Sequence, residues 1–146
     1  MNRRFALVVL LLGVAFLGRV AGQFIQVLAP VEFLPPLEGW QGSNLPYPVL
    51  FAAQVGILAL IAWISARMAA GRRVVSPRMT GPVIVLGAIY FGVMLVRLVL
   101  GFTAMADIKW FASPIPTTFH LVLSAIVMAT GVYGRVFPAG GVGKTD

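Results

Sequence analysis

Five polar side chains of this sequence lie where polar groups are expensive. Arg19, Gln23, Gln54, Arg97 and His120 all sit inside long apolar runs. An arginine at the centre of a membrane helix costs about 2.5–3.5 kcal/mol on insertion scales, so it asks for a partner, a wet cavity or a function. Arginine presents a planar fork of donors that matches phosphate and carboxylate oxygens. Glutamine adds neutral donors and acceptors, and histidine a ring nitrogen of either role. Brought together, these five residues make a basic polar pocket for an anionic amphiphile or for an acidic segment of a partner protein.

Other chemistries have fewer members to draw on. The chain has no cysteine, one histidine and four acids. That excludes disulfides, thiol catalysis and cysteine-held metal, and no metal site is expected. A lone histidine cannot ligate haem twice. Met94 or Met105 could serve as a second axial ligand, although nothing in their spacing singles them out. His120 is the one weak catalytic candidate, through acid–base work with Asp107 or a loop glutamate. No phosphate-binding loop, dinucleotide fingerprint or nucleic-acid module is present. Cofactors are therefore left unknown, with a bound lipid as the natural occupant.

The elements that must position these residues are four apolar spans. Of 146 residues, 60% are hydrophobic and 10% charged, with mean hydropathy +0.97. A soluble domain carries about 25% charge. The residue pattern predicts an all-α integral membrane protein, a four-transmembrane-helix bundle with spans near 5–28, 48–68, 82–102 and 116–137. Residues 1–137 then form one domain, and 138–146 a flexible cytoplasmic tail. Each run is long enough to cross a hydrocarbon core about 30 Å thick. Thr80 is the expected N-cap of the third span.

Charge sets the expected orientation. Arg3, Arg4, Arg67, Arg72, Arg73, Arg78, Arg135 and Lys144 fall on one side of a four-span plan, and Lys109 on the other with Glu32, Glu38 and Asp107. The positive-inside rule places both termini in the cytoplasm, in a bacterial inner (cell) membrane. A net charge of +7 on such flanks points to anionic lipid rather than to nucleic acid.

That topology assigns depths. Arg97 lies about 8 Å below the outer boundary, Arg19 about 13 Å, Gln23 about 8 Å, Gln54 about 9 Å and His120 about 6 Å. Arg19, Gln23 and Gln26 share a face of the first span, and Tyr90, Met94, Arg97 and Gly101 a face of the third. The pocket would open outward under two tryptophan-bearing loops. Against it stand pairing of the arginines with Glu32, Glu38 or Asp107, snorkelling to the interface, and contact with a partner subunit.

Two further patterns bear on architecture. Pro46-Tyr-Pro48-Val-Leu-Phe51 and Pro114-Ile-Pro116-Thr-Thr-Phe119 share P-x-P-x-x-F, and each Phe is followed sixteen residues later by Arg67 or Arg135. One reading is two duplicated helical hairpins in the same orientation. Small-residue pairs (Gly18 and Gly22, Ala52 and Gly56, Ala88 and Gly92, Ala125 and Ala129) suggest close helix contacts.

The functional expectation is a small multi-pass accessory or binding protein, more plausibly not an enzyme. A homodimeric transporter or flippase is the first alternative, and a membrane enzyme acting on a lipid-linked substrate the second.

Overall fold

A computed structural model describes residues 2–41 and 45–137. Its elements are α1 (Asn2–Leu28), α2 (Leu37–Trp40), α3 (Tyr47–Ala69), α4 (Pro77–Phe102) and α5 (Pro114–Val136). Helices α1, α3, α4 and α5 are each long and apolar enough to cross a membrane. No strand occurs among the described residues. The predicted tail, residues 138–146, lies outside them.

Proline sets the helix starts. Pro48, Pro77 and Pro114 stand in the first turns of α3, α4 and α5, where a missing N–H loses no intrahelical bond. Helix α1 ends at Leu28, two residues before Pro30. The third span corrects the prediction. It begins at Pro77 rather than near 82, and Pro82 lies inside the helix. Thr80 is thereby not an N-cap; its hydroxyl donates back to the Ser76 carbonyl at 3.1 Å. Ser76-Pro77 carries the stronger start signal, and a proline still near the helix N-terminus frees only one early carbonyl. The first connection also differs from a plain loop, since α2 gives it one helical turn.

With α5, helix α1 is one of the two central elements. It packs antiparallel on α3, where Gln23 meets Gln54 and the Ser65 hydroxyl donates to the Ala6 carbonyl at 3.0 Å. It also packs antiparallel on α5, with Phe5 against Tyr133 and Phe16 against Phe119. The core lies along these seams: Val9, Phe16 and Val20 of α1, Ile61 and Met68 of α3, Ile126 and Tyr133 of α5. Among the helices, α4 touches α5 alone. The lateral order is therefore α3, α1, α5, α4, and a gap separates α3 from α4.

Glycine controls the α4–α5 seam. A Cβ on Gly87 would stand 2.9 Å from the Met128 backbone nitrogen, and one on Gly131 3.0 Å from that of Ile84. The two backbones touch there because no side chain intervenes. The predicted small-residue pairs identify few of these contacts. Gly18, Gly56 and Gly92 all face open space. Spacing alone shows that two small residues share a face, not which face is covered.

The start of α1 and the end of α5 lie together, with the Phe5 and Phe137 rings 6.1 Å apart. The Tyr133 hydroxyl ties in the loop after α3 through the carbonyls of Met68 and Arg72. At the opposite end are the two loops bearing Trp40 and Trp110.

Candidate functional site

Arg19 and Arg97, the arginines within the apolar runs, both turn inward. Arg19 is 8% exposed and Arg97 4%. Neither meets a carboxylate among the described residues; Glu32, Glu38 and Asp107 are exposed. Each arginine instead binds the backbone carbonyl of the tryptophan in the loop that follows its own helix. Arg19 Nη2 donates to the Trp40 carbonyl at 3.0 Å. Arg97 donates to the Trp110 carbonyl from Nε at 3.1 Å and from Nη2 at 2.6 Å. A carbonyl shut away from water needs such a donor.

The tryptophans differ in pose. Trp40 is buried, its indole Nε1 donates to the Pro35 carbonyl at 2.8 Å, and its ring packs on Gly22. A Cβ at Gly22 would fall 2.8 Å from that ring, so the glycine makes room for it. Trp110 is exposed, and the Arg97 guanidinium carbon stands over its ring, 4.0 Å from the centroid. Gly101 lets the end of α4 approach the Phe111 backbone. Gln26 accepts from the Val31 N–H at 3.1 Å and so starts the first loop's return.

The space between these groups is a partly open chamber of about 300 Å³. Arg19 of α1, Leu50 of α3, Met94 and Arg97 of α4, Trp110, and Pro116 and His120 of α5 form its wall. Every long helix contributes, and no acid does. A smaller pocket of about 90 Å³ shares Arg19, Leu50, Pro116 and His120 with the chamber and adds Gln54 and Phe119. The Arg19 guanidinium lies 5.6 Å from the Phe119 ring centroid.

The structure thus gathers Arg19, Arg97 and His120 on one chamber, and Gln54 beside it. Gln23 stands behind, fully buried, where its Oε1 accepts from Gln54 Nε2 at 3.0 Å. His120 pairs through Nδ1 with the Tyr90 hydroxyl and has no carboxylate partner among the described residues. Met94 joins the wall, with its sulfur 4.0 Å from Arg97 Nη1, whereas Met105 does not.

Tyr90 is a site residue outside the five expected from sequence, although it shares a helix face with Arg97. The pairing with His120 joins two helices thirty residues apart in sequence, which no local spacing reports. The signal in reach was the seven-residue interval from Tyr90 to Arg97, which sets both on one side of α4.

Among the described residues, four buried polar atoms have no hydrogen-bond partner: Arg19 Nε, Gln23 Nε2, the Tyr47 hydroxyl and Gln54 Oε1. Buried donors and acceptors are satisfied as a rule, so each asks for an explanation. Arg19 and Gln54 both line the space described above, and a ligand there could meet Arg19 Nε. Chemically, the chamber can hold a small anionic group with apolar surroundings on most sides. Compared with protein families, curated proteins and solved structures, the chain matches none, and its geometry alone carries the functional reading.

Proposed function

We propose that this chain is a four-span membrane protein of a bacterial cell membrane that holds the head of an anionic amphiphile in the Arg19–Arg97–His120 chamber. The observation that carries the reading is the chamber wall itself: two buried guanidiniums and an imidazole, no acid, and one guanidinium N–H without a partner. Two arginines left in a low-dielectric site without any anion are costly, and carbonyl bonds offset only part of that cost.

We place both termini in the cytoplasm. Arg3, Arg4, Arg67, Arg72, Arg73, Arg78 and Arg135 belong to the helix ends and loop at the end of the bundle opposite the tryptophan loops, which supports that orientation. The chamber then opens toward the outer leaflet. We also read the α1–α3 and α4–α5 hairpins as a repeat. The shared arginine-to-tryptophan carbonyl bond supports this, in addition to the proline motif.

A binding role is favoured over transport. The polar side chains of the other half, Ser65 and Thr130, are both bonded to backbone carbonyls and offer no polar route. The tyrosine partner of His120 gives no support to carboxylate-assisted acid–base catalysis. Native mass spectrometry of mildly solubilised protein tests the proposal. Co-purifying anionic lipid is expected, with at least tenfold less in Arg97→Ala. A protein that carries no lipid, and is unchanged by substitution of either arginine, would overturn it.

A further inference from the structure

The gap between α3 and α4 is an apolar groove of about 470 Å³. Leu60 and Ile64 of α3, Val83 of α4, and Ile126 and Val127 of α5 line it, and Tyr90 closes its upper part. The groove meets the chamber's surroundings at two places. Tyr90 lines the groove and bonds His120, which lines the chamber. Ile57 and Leu123 line both the groove and the smaller pocket that shares Arg19 and His120 with the chamber. From Val83 to Arg97 is fourteen residues, about 21 Å along α4. A hydrocarbon chain fits the groove by polarity, and the arginines complement the head of the same molecule.

The head can be specified further. The chamber presents two arginines with no acid to neutralise them. Arg19 Nε is unpartnered, and Arg97 Nη1 reaches only the Met94 sulfur at 4.0 Å. A phosphate monoester brings close to two negative charges at neutral pH and three strong acceptor oxygens. A phosphodiester such as phosphatidylglycerol brings one charge and two such oxygens, which leaves one arginine uncompensated in a dry site.

Resting on the binding role proposed above, we infer that the occupant is a phosphomonoester lipid that enters sideways between α3 and α4, its terminal phosphate across Arg19 and Arg97 and a hydrocarbon chain in the groove. Phosphatidate and polyprenyl monophosphate share this chemistry. The chamber reads the phosphate and the groove reads the chain, so the two sources differ in how they fill the groove.

The test is competitive lipid retention by the purified full-length protein, read by native mass spectrometry. The probes are dioleoyl phosphatidate, a polyprenyl monophosphate, dioleoyl phosphatidylglycerol and dihexanoyl phosphatidate. At least one long-chain phosphomonoester is expected to be retained tenfold or more over phosphatidylglycerol, and which one identifies the source. Val127→Trp, which fills the groove, is expected to lower long-chain retention at least fivefold and to leave the dihexanoyl lipid unchanged. Arg19→Lys and Arg97→Lys keep the charge and serve where an alanine variant does not fold; each is expected to narrow the preference for the monoester. Equal retention of monoester and diester would overturn the inference while leaving the binding role intact. An unaltered Val127→Trp profile would overturn the sideways route. Loss of all anionic lipid binding in the wild-type protein would overturn inference and binding role together.

Discussion

In the α1–α3 hairpin, the polar pair between the helices is Gln23 with Gln54, both buried and held amide to amide. In the α4–α5 hairpin it is Tyr90 with His120, both half-buried and set against the groove and the chamber. The arginines repeat this contrast. Arg19 gives one bond to a carbonyl whose tryptophan is buried, while Arg97 gives two to a carbonyl whose tryptophan is exposed. Two hairpins with similar proline starts thus serve different ends. The first is sealed by α5 on its other side, and amides there act as interhelical glue. The second has only one helical neighbour for α4, so its polar groups border space that a ligand can fill.

The sharpest way to break the contrast is through the glycines. Gly87 and Gly131 face backbone atoms of the opposing helix, whereas Gly13 faces only the Ile61 side chain at 2.7 Å. Backbone cannot step aside, whereas Ile61 Cγ2, a branch methyl on a stiff buried side chain, yields only if Ile61 shifts. Gly87→Leu or Gly131→Leu is expected to separate α4 from α5, at a cost above the usual 1–3 kcal/mol of overpacking. Gly13→Ala is expected to stay within about 1–3 kcal/mol. Unfolding of the purified protein in mixed micelles measures all three, and equal costs would remove the distinction.

Substitution of the arginines probes function against stability. Arg97→Met removes a charge that costs about 2.5–3.5 kcal/mol to insert, and it also removes charge-assisted bonds worth about 1.5–3 kcal/mol. Unfolding free energy of the ligand-free protein should therefore move by about 1 kcal/mol or less. Lipid retention should fall at least tenfold. A large destabilisation with unchanged retention would make Arg97 a structural anchor for the Trp110 loop instead.

The glutamine pair gives a smaller, closed-side effect. Gln23→Leu alone strands Gln54 and is expected to cost about 1 kcal/mol. The Gln23→Leu, Gln54→Leu double variant should recover most of that loss, because two unsatisfied atoms leave the interior with the pair. A double-mutant cycle read by unfolding checks the coupling.

The smallest stability change is expected at Tyr90→Phe, about 0.5–1 kcal/mol for one partly exposed hydrogen bond. Its effect should appear in the site, since it frees His120 Nδ1. Lipid retention and the His120 ring signals in an NMR spectrum should both shift. If only stability changes, the Tyr90–His120 pair belongs with the glutamines and the two hairpins are more alike than their geometry suggests.

The sequence by itself determined the helices. Long apolar runs bounded by proline leave little choice when every backbone group must be satisfied within its own segment. It also determined which faces carry Arg19, Gln23, Tyr90 and Arg97, because helical spacing is fixed. Only the tertiary structure decided what those faces meet. The open space beside Gly18, Gly56 and Gly92 and the choice of a tryptophan carbonyl over Glu32, Glu38 or Asp107 as arginine partner depend on contacts between segments apart in sequence. The groove between α3 and α4 is of the same kind. It exists because α4 packs on α5 alone, and an apolar helix surface reads the same in sequence whether it is covered by another helix or left to lipid.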